Sequence, residues 1–243
     1  INYKDITVKW FGVIDDPGVD NGPKIQEALD YGAMVNKKVR FPTFRKKIIC
    51  TTPINVPSNT TIVGDNTHIH CITPAHALFN IIDKSNISIS NLTLDGDPVV
   101  TGSGGMSSGA DTALIYIQDS THVKISNCTI QNSEKWGLGV NRSKYCTVTN
   151  NRFLSNKSFG VVLYDSDTGS TGLYTASYNI ISQNIIEGNG ATGGGVSEAC
   201  SVMRTDVGYN CIIANTGPDR VESTVADNTS VVTTVNYNEG YSS

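Results

Sequence analysis

The 243-residue chain carries a formal net charge of −4, with 16% charged and 38% hydrophobic residues. That balance, with no basic run, argues against nucleic acid and against an anionic membrane surface as partners. No apolar stretch approaches the roughly 20 residues needed to span a bilayer. No signal peptide begins at Ile1, so a secretory leader is either absent or already removed.

In chain order, INYKDITVKWFG at residues 1–12 contains an alternating strand, followed by a turn-rich loop at 13–22. A short helix is predicted from about Pro23 to Met34, with Asn21 or Asp20 as its cap and Ile25, Ala28 and Leu29 on one face. It is the natural lid for a stack of coils whose first turn would otherwise expose its core and strand edges. Val39 to Phe41 and Ile48 to Cys50 read as strands of the first irregular coils, and Pro53 and Pro57 mark corners. Regular coils run from Leu78 onward, and the last 23 residues alternate but drift from the pattern. The organisation expected is one domain: head and cap at 1–50, coils at 51–220, and a final coil or cap at 221–243.

The regular part repeats. NISISNLTLDGD, HVKISNCTIQNS, YCTVTNNRFLSN and YNIISQNIIEGN each alternate apolar and polar residues into an Asn-rich turn. Asn127 to Asn150, Ile130 to Phe153, Ile117 to Val140 and Val140 to Leu163 are all 23-residue steps. Asn91 to Asn127 is 36, or 23 plus 13; Tyr145 to Tyr178 is 33, or 23 plus 10; Tyr178 to Tyr209 is 31, or 23 plus 8. The steps align Phe79, Ile115, Leu138 and Val161 in one column, and Ile81, Ile117, Val140 and Leu163 in the next. Ile89, Ile125, Val148 and Ile181 form a third, and Leu94, Ile130, Phe153 and Ile186 a fourth. This predicts an all-β, right-handed parallel β-helix with three strands per coil, each coil burying its apolar face only against its neighbours. A leucine-rich repeat shares the period range but needs a Leu spacing and a consensus Asn that are absent.

Polar columns follow from the same arithmetic. Asn91, Asn127, Asn150 and Gln183 read as a stacked amide ladder at a turn, since Asn tolerates left-handed backbone. Of the six cysteines, Cys128 shares a column with Leu92, and Cys146 shares one with Ile87 and Val123; both read as small buried hydrophobes. No C-x-x-C occurs, no cofactor motif is present, and buried free thiols fit folding in a reducing cytoplasm. Seven Asn-x-Ser/Thr sequons arise by chance in so Asn-rich a chain, and two of them sit in the expected ladder.

The head resembles the start of the pectate-lyase-superfamily β-helix domain common in bacteriophage tailspikes and related carbohydrate-active proteins. The residues that carry the likeness are the strand Val8 to Gly12, the acidic loop Asp15 to Asn21 and the helix Ile25 to Leu29. The strand Val39 to Pro42 and the turn Pro57 to Gly64 complete it, with Lys24 where the pattern has its first Ala. The resemblance implies a glycan-handling protein of a virion tail or extracellular surface, and a homotrimer, as tailspike relatives are. The polygalacturonase set (N-T-D, a paired D-D in mid-helix, G-H-G, R-I-K) is missing, Asp15–Asp16 lying in the head loop instead. No pectate-lyase-like Ca²⁺ plus Arg signature is recognisable.

Insertions mark binding faces in solenoids. Here they fall within 95–112, 166–176 and 188–197, bracketing the first-strand face as a groove. At that face one column is charged: Asp83, Asp119, Arg142 and Asp165. The commoner origin of such a column is a surface ion-pair ladder. The sharper reading makes Asp119 and Asp165 the catalytic pair of an inverting glycosidase, with Arg142 positioning. Carboxylates two coils apart stand about 9–10 Å apart at Cα, and side-chain rotation brings that into the ~6.5–9.5 Å range.

Asp83, Tyr116, Tyr164, Glu134, Lys135 and Trp136 are the expected substrate-binding residues, Trp136 sharing a column with Phe159. Exposed, these rings would stack on sugars; buried, they pack a corner. Asp95, Asp97 and Asp111 form a second acidic group that reads as a turn ahead of a Ca²⁺ site. His68, His70, His76 and His122 have no partner motif. The expectation is therefore a phage- or virus-associated β-helix that binds and depolymerises a surface polysaccharide, by hydrolysis ahead of elimination. A non-catalytic adhesion or structural β-helix is the alternative, and a secreted polysaccharide lyase the third.

Overall fold

The computed structural model describes residues 5–72, 77–96, 113–164 and 176–190 with their side chains, and the side chains of 210, 211 and 215. Beyond 190 it also describes the backbone of the strands Glu198–Met203, Val207–Gly208, Cys211–Ile213, Arg220–Thr224 and Thr234–Asn236. Every described strand pairing is parallel. The chain runs through Ala113–Gln118, Thr121–Ser126 and Thr129–Gln131 before Trp136–Asn141 returns to pair with the first of these.

One wall of the tube is a sheet of Ile54–Asn55, Phe79–Ile82, Ala113–Gln118, Trp136–Asn141, Phe159–Tyr164, Glu198–Met203 and Arg220–Thr224. A larger sheet forms most of the rest, with Ala176–Ser177 and Val207–Gly208 as a separate two-stranded piece. The larger sheet folds round a corner because Thr61–Cys71 and Ser85–Asp95 each run along two of its faces. The corner is a single left-handed residue per coil, Asn66, Asn91, Asn127, Asn150 and Gln183, with φ between 57° and 58° except for Asn127 at 54°. Asn is the side-chain-bearing residue that visits this backbone most cheaply, so Asn-rich sequence and corner position coincide.

Strand register confirms all four apolar columns. Phe79 opposes Ile115, which opposes Leu138, which opposes Val161; Ile81, Ile117, Val140 and Leu163 follow in step. Ile89, Ile125, Val148 and Ile181 stack in turn, as do Leu94, Ile130, Phe153 and Ile186. All sixteen belong to one buried cluster that fills the tube. Cys128 and Cys146 belong to it too, and burial pushes their thiols up to about 11 and about 12 respectively.

The cap is the helix Gly22–Met34, which buries Ile25, Ala28 and Leu29 against that cluster. Asn21 occupies the cap position but its side chain accepts no cap bond; it ties together Ile14, Val19 and Ile49 instead. Asp20 holds the helix start instead, accepting from the Gly22 and Thr51 N–H groups and from Thr52 Oγ1. The expected strand at Val8 to Gly12 is a correction. The strand is Asp5–Thr7, and Val8–Phe11 winds into a 3₁₀ turn. Thr7 Oγ1 accepts from Lys9 N, and Gly12 closes the turn at φ 81°, so local capping overrides the alternation.

The amide ladder lies one residue later than the sequence suggests. The left-handed Asn127, Asn150 and Gln183 point outward, whereas their successors Cys128, Asn151 and Asn184 turn inward, and the buried Asn215 continues that inward column. Cys128 N donates to Asn151 Oδ1, Asn151 N to Asn184 Oδ1, and Asn184 N to Asn215 Oδ1. Each Nδ2 then reaches a carbonyl of the preceding coil: Ile125, Val148 and Ile181. Parallel ladders run through Asn179 and Asn210, and through Asn156 and Asn189.

Candidate functional site

The charged column stands at the corner that closes the first sheet. Asp83, Asp119 and Arg142 directly follow the strands Phe79–Ile82, Ala113–Gln118 and Trp136–Asn141, all with left-handed backbone at φ 55°, 48° and 43°. Their N–H groups donate to Gln118 O, Asn141 O and Tyr164 O, so each corner residue is hung from the next coil. Asp165 follows Tyr164 in the chain and lies outside the described residues.

Arg142 grips Asp119 with both ends of its fork, Nε to Oδ1 at 2.8 Å and Nη2 to Oδ2 at 2.5 Å. Gln118 Nε2 adds a third bond to Oδ2 at 2.9 Å. The Arg142 hydrogen bonds, outweighing partial burial, hold the Asp119 carboxyl below its ordinary value. Asp119 is therefore a fixed carboxylate, ionised near neutrality, suited to stabilise a cation and unsuited to donate a proton. Asp83 is exposed one coil away.

Behind this pair runs a chain of hydroxyl and amide contacts. Tyr164 OH donates to Tyr116 OH at 3.2 Å, and Tyr116 OH donates to Gln118 Oε1 at 2.8 Å. Asn141 Nδ2 also donates to Tyr116 OH, at 3.0 Å. The Gln118 amide is thereby fixed with its NH₂ toward Asp119. Tyr116, at 3% exposure, and Tyr164, at 5%, support the corner from beneath it.

The rings expected to touch sugar are packed. Trp136 is 5% exposed, meets Tyr164 edge-on at 5.3 Å and opposes Phe159 in register. Both belong to a second apolar cluster on this sheet, with Ala113 and Val162. Lys135 Nζ lies 4.4 Å from the Trp136 ring, and Glu134 accepts from Lys157 Nζ at 2.8 Å. Stacking on a sugar needs an open ring face, which Trp136 lacks.

The sequence reading missed a second cluster. Asp95, expected as a turn residue, is buried and accepts from Lys47 Nζ at 3.0 Å, His68 Nε2 at 2.9 Å and Asn132 Nδ2 at 2.9 Å. Burial raises its pKa, but the three donors outweigh that and hold it well below the usual carboxylate range. Asp97, Asp111 and His76 lie outside the described residues. His122 stacks on Tyr145 at 5.2 Å and Tyr145 on Tyr178 at 5.3 Å, an outer ring ladder that the 33-residue step from Tyr145 to Tyr178 foreshadows.

The chain belongs to the right-handed beta helix region family, whose model matches residues 50–239. No curated protein matches it in sequence. Among solved structures it is similar to PfbA, a surface adhesin of Streptococcus pneumoniae, at TM-score 0.69 and 16% identity over 87% of this chain and 56% of that one. It is similar to the Acinetobacter baumannii phage AM24 tailspike protein at 0.60 and 17%, covering 90% of this chain and 40% of that one. A hyperthermoactive exopolygalacturonase from Thermotoga maritima gives 0.61 and 12%, with 92% and 69% covered. At such identities the shared property is the fold, a tailspike-like right-handed parallel β-helix. The chain spans about half the length of the adhesin and less of the tailspike.

Proposed function

We propose that the chain is the glycan-binding and glycan-cleaving β-helix of a phage or virus tail, acting outside the host cell as a homotrimer. The observation that supports this most is the Asp119–Arg142 pair, fixed at a corner of the first sheet and backed by Gln118 and Tyr116. In this reading Asp119 takes a proton from water as the water oxygen attacks the anomeric carbon. The glycosidic C–O bond breaks, and Asp165, two 23-residue steps along the same column by chain position, protonates the departing oxygen. Arg142 keeps Asp119 ionised and in place, so Asp119 is the base and Asp165 the acid. Tyr116 and Tyr164 act through Gln118, and Asp83, Glu134 and Lys135 are left to meet substrate along the face.

The test is release of reducing ends from a panel of capsular and O-antigen polysaccharides. Soluble oligosaccharides that disappear in Asp119→Asn and Asp165→Asn, with binding kept, are the expected result. A second reading, a non-catalytic glycan adhesin, is favoured by how completely Asp119 is engaged by Arg142 and Gln118, as in a structural ion-pair ladder. Similarity to a surface adhesin agrees with it. Binding without any new reducing ends establishes that reading and removes the first. An unsaturated, ultraviolet-absorbing product would instead indicate elimination.

A further inference from the structure

The head holds a cleft of about 590 Å³, within the ~300–1,000 Å³ range of small-molecule sites, between the loop after the 3₁₀ turn and the segment before Ile48–Cys50. Its walls are Val13, Ile14 and Phe44, and its cations are Lys9 and Arg45. Lys9 Nζ sits 4.7 Å from the Phe44 ring centroid and donates to Thr43 O at 3.4 Å, which holds it at the cleft. Asp15 also lines the cleft; its Oδ2 accepts from the Arg45 and Lys46 N–H groups at 2.9 Å and 3.1 Å, which keeps the carboxylate ionised and ties it to the backbone. Arg45 is exposed, and its guanidinium makes no ion pair among the described residues. In a chain of net charge −4, the residues lining this cleft set Lys9 and Arg45 against the single carboxylate of Asp15, an excess of one positive charge.

We propose that this cleft binds the carboxylate of an acidic sugar, a uronate unit of a polysaccharide, at a site separate from the Asp119–Arg142 corner. Arg45 takes the carboxylate with its planar fork, Lys9 supplies the second cation, and Ile14 and Phe44 face the apolar side of the ring. The inference rests on the glycan-binding part of the proposed function and not on cleavage, and it narrows the substrate to an anionic glycan.

The experiment measures binding of the full chain to immobilised sodium polygalacturonate and to neutral pullulan. Arg45→Gln alone and Lys9→Gln/Arg45→Gln together are compared with the unaltered chain, with melting temperature as the folding control. The expected result is preference for polygalacturonate, at least tenfold weaker binding in the double variant, and competition by free galacturonate but not by galactose. Unchanged binding in both variants, equal competition by galactose, stronger competition by single-stranded DNA or inorganic phosphate, or no binding to polygalacturonate each overturns the proposal. If polygalacturonate is held through Arg45 but never cleaved, the cleft stands and the catalytic reading falls.

Discussion

Replacing Asn184 by Ala tests whether the inward ladder carries the stability of the coils. Asn184 is fully buried. Its Oδ1 accepts from Asn151 N at 2.9 Å and Asn151 Nδ2 at 3.0 Å, and its Nδ2 donates to Val148 O at 2.9 Å and Asn215 Oδ1 at 2.9 Å. Four bonds at about 1 kcal/mol each put the loss near 4 kcal/mol, and the Asn151 N–H and Val148 carbonyl are left buried without those partners. The neighbouring Gln183 has the left-handed backbone, but its side chain is exposed, so Gln183→Ala should cost about 0.5 kcal/mol or less. Urea unfolding followed by circular dichroism, run on both variants, gives the comparison. A cost below about 1 kcal/mol for Asn184→Ala, or equal costs at the two positions, refutes the assignment of the ladder to the inward residues.

Other expectations follow from single sites. Asp20 is partly buried, which raises its pKa, but Thr52, Thr51 and Gly22 donate to it and bring it down to about 2 from an ordinary 3.8. A depressed carboxylate stabilises the fold above its unfolded value and loses that contribution as pH falls toward 2, about 1 kcal/mol after allowing for solvent screening. Asp20→Asn should flatten the acid side of a stability–pH curve, and an unchanged slope between pH 4 and 2 counts against the cap role. A Cβ on Gly64 would stand 2.1 Å from Asn91 O, a backbone atom of the next coil, so Gly64→Ala should cost about 3 kcal/mol or more in thermal melts. Cys128 and Cys146 should resist maleimide at pH 8 in the folded chain and react on unfolding, because burial raises both thiols. Full labelling before unfolding contradicts their place in the core.

What could be read from sequence was whatever the repeat carries. The columns through Ile117, Ile125 and Ile130 follow from 23-residue steps, because equal offsets between parallel strands mean equal height. The polar ladder stands one residue beyond the column that the sequence displays, because Asn127 and Asn150 show a clean Asn column, whereas the inward column opens with Leu92 and Cys128 before becoming Asn151. The Asp95 cluster was invisible for a related reason. His68 and Asp95 belong to coils whose spacing differs from 23, and Lys47 comes from the head, so no single step aligns them. Arg142 stands in the charged column that the sequence shows, and its grip on Asp119 follows from a single 23-residue step. The burial of Tyr116, Trp136 and Tyr164 depends on what covers the outside of a sheet, which alternation along one strand does not encode.

The identical offsets on either side of Trp136–Asn141 have a practical meaning for the length of the rod. Excising residues 136–158 would set Phe159 over Ala113, Ile180 over Lys124 and Ile185 over Thr129, and would bring Cys128 N to Asn184 Oδ1. The molecule would then be one storey shorter, by about 4.8 Å, with these strand and amide seams closed as before, while Asp119 and Glu134 would lose Arg142 and Lys157. Height in this protein is thus countable in whole floors, and the interior permits the removal of one where the corner charges do not.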